Sequence, residues 1–145
     1  MAFPDWFIAS AGSWAGKSRL HLPWLEDGQH IRESDSDLLV TISPNGEFGS
    51  VQYTWEDQGE SHQGTLILAG ESGAWVDSWH QSGAVMALSG ENLVLEGKYS
   101  TGGDSHWRWR VQLLLDDATL ILLMTNIDPN GAEEWAVEGT YHRLA

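Results

Sequence analysis

Cysteine is missing from this 145-residue chain, which excludes a disulfide framework, a thiolate nucleophile and a cysteine-ligated zinc. Any metal chemistry would have to draw on histidine and carboxylates. Basic residues are scarce as well: 7 Lys and Arg stand against 21 Asp and Glu, for a formal net charge of −14. That surplus keeps a protein in solution and repels phosphate backbones, so nucleic acid and anionic membranes are not expected partners. Long apolar runs are absent too. The densest, at 120–124, is strand-sized, far short of the roughly 20 residues of a membrane helix. The first residues, through Ser10, lack the cationic start and apolar core of a secretory signal and include Asp5, so a cytoplasmic location is expected.

Glycine and tryptophan are plentiful, at 16 and 9 residues, a composition that suits many tight turns around a core of large rings. The length predicts one domain over 1–145. Turn signals recur at short intervals, among them Pro44-Asn45-Gly46, Asp57-Gln58-Gly59, Gln81-Ser82-Gly83, Gly90-Glu91-Asn92, Gly102-Gly103-Asp104 and Asp128-Pro129-Asn130-Gly131. Such punctuation predicts consecutive hairpins closing into a sandwich or barrel. Strands are expected near 12–22, 35–42, 47–56, 61–69, 74–80, 84–89, 93–101, 105–115, 118–127 and 132–143. Only 4–10 reads as helix, with Trp6, Phe7 and Ile8 offering apolar surface to cap a barrel end. The segment 23–36 is read as a long hairpin turn or a lid, and its acidic run through Asp37 as a solvated charged loop lacking the fixed pattern of a calcium loop.

Neighbouring strand residues point to opposite faces, so alternation assigns partners to a common interior. Trp107, Trp109, Val111 and Leu113 alternate with His106, Arg108, Arg110 and Gln112; Tyr53 and Trp55 alternate with Thr54; Trp75, Asp77 and Trp79 share a side. With Tyr99, Trp135 and Tyr141 these positions line an aromatic interior, and His62, in phase with Leu66 and Leu68, looks the same way. These eleven residues are the candidate ligand-binding set: Tyr53, Trp55, His62, Trp75, Asp77, Trp79, Tyr99, Trp107, Trp109, Trp135 and Tyr141.

Gly12-Ser13-Trp14 opens the first strand directly after the short helix, and Thr140-Tyr141-His142-Arg143 closes the last. The pattern resembles the calycin superfamily of lipocalins and fatty-acid-binding proteins, in which a Gly-x-Trp packs against a basic residue from the chain's end. The resemblance implies an up-and-down barrel of about ten strands closed by Trp14 and Arg143. Trp75-Val76-Asp77-Ser78 and Asn130-Gly131 through Trp135, taken with both ends, are similar to a bacterial calycin-like family of unknown function. Nitrobindins, haem-binding barrels with an iron-ligating histidine on a late strand, are a neighbouring comparison. Alternation places His142 outside, so no cofactor is expected.

A carboxylate between two tryptophans, Asp77 either orients a ligand or serves as a general base, or else accepts hydrogen bonds within the fold. Arg143 either grips an acidic ligand or stacks on Trp14 at the barrel's closure. The six histidines have no paired metal spacing, and His80 is placed near a rim. Arg108 and Arg110 are expected to pair across strands with Glu96 or Glu138. No nucleophile, metal set or oxyanion device marks an enzyme. The leading expectation is a barrel binding a small apolar or aromatic molecule. The alternatives are an acidic interaction or inhibitor module with a filled core, and an isomerase or hydrolase using Asp77. Trp24, reading outward, offers a surface for a homodimer.

Overall fold

In the computed structural model, described for residues 3–26, 28–79, 83–89, 92–101 and 103–144, the chain forms one helix and ten strands. They are α1 (Asp5–Ala9), β1 (Gly12–His21), β2 (Ile31–Ile42), β3 (Phe48–Asp57), β4 (Glu60–Ala69), β5 (Ser72–Asp77), β6 (Gly83–Ser89), β7 (Leu93–Thr101), β8 (Asp104–Asp116), β9 (Thr119–Ile127) and β10 (Glu133–Arg143). Every strand pairs antiparallel with its sequence neighbours, and β10 returns to β1, closing an up-and-down barrel. The expected all-β class, strand order and short helix are as observed. His80, expected near a rim, and positions 81, 82, 90, 91 and 102, on which turn signals fall, lie outside the described residues.

Closure follows from alternation. Along β8, Trp109, Val111 and Leu113 are buried while Arg108, Arg110 and Gln112 stand toward the outside. There Arg108 donates to Glu96 Oε1 at 2.5 Å, and Arg110 donates to Glu96 Oε2 at 3.2 Å and to Glu133. Glu138 is taken instead by Arg19, at 3.2 Å. The anticipated basic stripe is thus a set of cross-strand ion pairs, and the expected Glu96 partner is the one found.

Three local features depart from the simplest reading of the sequence. First, β2 begins at Ile31, so Glu33, Asp35 and Asp37 occupy exposed positions of a strand instead of a charged loop. Two turns, closed by Leu25 N–H to Leu22 O (3.0 Å) and Gln29 N–H to Glu26 O (2.9 Å), make 22–30 the tip of a long hairpin. The β2–β3 ladder covers only Leu38 to Ile42 on β2. Beyond it hydroxyls bridge the two strands: Ser36 donates to Thr54 O at 2.5 Å, and Ser34 and Thr54 accept from the Glu56 and Asp37 N–H groups at 3.0 Å. Side-chain hydroxyls can replace a missing ladder bond in this way. Second, β5 stops at Asp77; Ser78 N–H still donates to Gln63 O at 2.8 Å, but Trp79 lies in the following turn. Third, the β9–β10 register shifts between Trp135 and Val137. One extra residue in a strand moves side chains before it to the other face. Trp135 is accordingly out of phase with Val137 and Tyr141.

The helix closes one end. Phe3 and Phe7 are buried edge-to-face, their ring centres 5.2 Å apart, while Ile8 remains exposed. Ser10 Oγ donates to Phe7 O at 2.6 Å, and Trp14 Nε1–H donates to Ser10 O at 2.8 Å, so the tryptophan of β1 anchors the helix. Trp14 pairs with Arg143 in register. The guanidinium carbon sits 4.6 Å from the ring centre, and Arg143 donates to Ala11 O (2.9 Å) and Ala9 O (2.6 Å). Arg143→Lys keeps the charge but loses the planar fork that reaches both carbonyls, so the urea midpoint is expected to fall by the equivalent of about 1 kcal/mol. An unchanged midpoint would deny Arg143 any part in tying the helix to β10.

Candidate functional site

Aliphatic side chains fill the helix half of the interior. Leu38, Leu66, Leu68, Leu93, Leu95, Leu113, Leu120 and Leu122 are fully buried, as is Tyr141. The other end, formed by the close of β1, β3, β5 and β9 and the starts of β8 and β10, holds the rings. They do not fill it. A cavity of about 340 Å³ opens there, within the size range of small-molecule sites. The rings that read equally well as a binding cup or a plug therefore surround open space above an aliphatic core.

Of the eleven candidate residues, Tyr53, Trp55, Asp77, Trp79, Trp107, Trp109 and Trp135 border this cavity. Trp55 and Trp109 reach it from β3 and β8 at inward positions; Trp79 arrives from the turn after β5 and stays 38% exposed at the mouth. Trp135 borders it from the rim. Its ring stacks on His21 at 4.7 Å, and the Arg19 guanidinium lies 5.5 Å from its centre. His21 Nδ1 must carry a proton, because its partner at 2.8 Å is the Trp135 carbonyl, which only accepts.

The other four stand behind or below the wall. Trp75 is buried, stacks on Trp109 at 5.4 Å and donates from Nε1 to Tyr53 Oη at 2.7 Å, fixing the floor. Tyr53 also fits because Gly64 lies opposite it: a Cβ at Gly64 would stand 2.3 Å from the phenol. His62 packs on Trp55 (5.2 Å) and Trp79 (5.7 Å), bracing both rings from the side. Tyr99 donates to Asn126 Oδ1, and Tyr141 shares a 2.8 Å hydrogen bond with Ser36 Oγ inside the core. Sequence reasoning missed the rest of the wall, which includes Leu20, His21, Trp24, Asn126, Asp128, Glu133 and Glu134. Trp24 had a signal in its outward phase, which was read as a dimer surface.

The arrangement is an apolar hollow with few polar groups. Asp77 is buried at 6% exposure on the wall, close enough to Tyr53 to disfavour its ionisation. The Trp55 indole N–H is buried and finds no acceptor among the described residues. Arg143 is at the far end, bonded to backbone carbonyls, and does not border the cavity. His142 is exposed on the outer face of β10 while Tyr141 points inward, so the closing strand turns no histidine toward the interior.

Burial raises all three tyrosines. Tyr53 is driven far above the usual phenol value, against the opposing effect of its Trp75 hydrogen bond. Tyr141 is pushed up to about 12, and Tyr99 is raised by partial burial. A phenol raised on folding stabilises the native state fully below the unfolded value near pH 10, and that contribution disappears as pH climbs through the folded values. Tyrosinate absorbance of the native chain is therefore expected to stay low at about pH 10.5, with stability falling steeply toward pH 12 and beyond. Three phenols titrating normally near pH 10 in the folded protein would contradict the packing described.

A closed antiparallel barrel with a helix across one end is the class these elements define. The crystal structure of Rv2717c from M. tuberculosis has a related build: the two superpose with a TM-score of 0.63 over 100% of each chain, at 14% identity. At that identity the likeness concerns the fold alone. No family model matches the chain, and no curated protein matches it.

Proposed function

We infer that this protein is a calycin-like barrel that binds a small, largely apolar or aromatic molecule in the hollow opposite the helix. The observation that carries this reading is the cavity of about 340 Å³ bordered by six tryptophans. Rings such as these could pack against one another, yet Trp24 and Trp79 remain 74% and 38% exposed at its mouth. Exposed aromatics rimming a concave apolar site are a binding signature, because their burial by a ligand recovers hydrophobic free energy that the apo protein forgoes. The Trp55 N–H, which has no acceptor among the described residues, and the buried Asp77 supply the few polar groups such sites use for orientation. The Trp14–Arg143 pair supports kinship with calycins.

The test is a tryptophan-fluorescence screen of small aromatic compounds, preceded by native mass spectrometry for a retained molecule. Trp79→Ala and Trp107→Ala are expected to weaken a hit by about tenfold each while shifting the unfolding midpoint little, because both rings are partly exposed and contact ligand more than core. Binding unaffected by either substitution would remove the cavity as the site.

A further inference from the structure

The cavity wall has an electrostatic character that hydrophobicity alone does not predict. Four acidic residues, Asp77, Asp128, Glu133 and Glu134, border the cavity, and no lysine or arginine does among the described residues; Glu133 is held by Arg110, and Asp128 Oδ1 accepts from the Asn130 and Ala132 N–H groups at 2.8 and 2.9 Å. The nearby arginines are committed outside: Arg110 to Glu96 and Glu133, Arg19 to Glu138 and the Trp135 ring. Glu134 pairs in register with Asn126, which also borders the cavity, and its half-exposed carboxylate stands 3.7 Å from His21 Nδ1. Trp24, Trp55, Trp79, Trp107 and Trp109 border the same hollow. An indole face carries the negative part of the ring quadrupole and attracts cations within about 6 Å of its centre. A cleft of one sign with low-dielectric walls concentrates counter-charge.

We propose that the ligand class is an organic cation, an ammonium or quaternary ammonium group carried on a small apolar or aromatic frame. The frame fills the tryptophan-walled hollow, and the cationic head sits among indole faces and the carboxylates of Asp77, Asp128 and Glu134. Carboxylate ligands are disfavoured by the same field, and Arg143, at the other end of the barrel, does not compensate for it.

This inference rests on the reading of the hollow as a binding site, and the experiment separates the two. The ammonium form of 2-phenylethylamine, neutral 2-phenylethanol and anionic phenylacetate share one ring and differ in the charge of the tail. Titrated against the full chain at low salt, the ammonium is expected to bind about tenfold or more tighter than the alcohol, with phenylacetate weakest. Asp77→Asn and Glu134→Gln should each lower the ratio of ammonium to alcohol affinity several-fold; Glu134 is exposed enough for its substitution to spare the fold. Equal affinity across the three, or a preference for phenylacetate, overturns the cation proposal and leaves the binding site standing. Failure of all three, together with an aromatic screen that yields no ligand, overturns both.

Discussion

Replacing Gly16 by alanine is expected to prevent the barrel from closing. An ideal Cβ at Gly16 would fall 1.8 Å from the Thr140 carbonyl oxygen and 2.9 Å from the Tyr141 Cα, so the obstruction is backbone and not a side chain that could swing aside. Gly16 pairs with Tyr141 at the β1–β10 seam, where the two ends of the chain meet. Relief requires the strands to part, breaking ladder bonds and loosening Tyr141 from Ser36. The cost should exceed about 4 kcal/mol, among the larger effects of single substitutions, and lower the thermal midpoint by ten degrees or more. Lys17→Ala, one residue on, loses only a surface ion pair with Asp35 and is expected to change stability by less than about 1 kcal/mol. Similar midpoints for the two variants would mean that the seam is not as close as described.

Trp14→Ala should be nearly as damaging, for a different reason. The indole is 3% exposed, holds the helix through Ser10 O and stacks beneath the Arg143 guanidinium. Truncation leaves a large cavity, and Trp-to-Ala changes in cores cost about 3–5 kcal/mol. Trp14→Phe keeps most of the apolar volume and loses the N–H, so a cost of about 1–2 kcal/mol is expected. Because Trp14 lies at the helix end, whatever fraction of either variant remains folded should bind ligand with unaltered affinity. Weakened binding in Trp14→Phe would place the site at the wrong end of the barrel.

The strand order was legible because turn chemistry and period-two patterning agree along most of the chain, as in β8, where tryptophans and arginines alternate without a break. Legibility failed where the barrel is not held by that pattern. Residues 31–37 carry almost no apolar signal, since Ser36 alone is buried among acidic neighbours and hydroxyls bridge β2 to β3. The bulge before Val137 is likewise silent in the sequence, and alternation carried through it gives Trp135 the same phase as Tyr141.

The ring set was found, but its division was not. That Trp75 forms the floor with Tyr53 and Trp109, while Trp79 and Trp107 stand at open space, depends on contacts across the barrel that no local pattern encodes. Of the acidic members of the wall, Asp128 comes from a turn, where alternation assigns no face, and Glu134 falls on the outer face by alternation with Trp135, an assignment that the register shift before Val137 reverses.

The most direct measurement follows the nine indole N–H resonances of the nitrogen-labelled protein by NMR while a neutral aromatic such as 2-phenylethanol is added. The account predicts that the signals of Trp55, Trp79, Trp107 and Trp109 move together and saturate, while that of Trp14, bonded to Ser10 O beside the helix, stays in place. If the cavity signals stay fixed with every compound of the screen, or if Trp14 moves while they do not, the hollow opposite the helix is not a binding site.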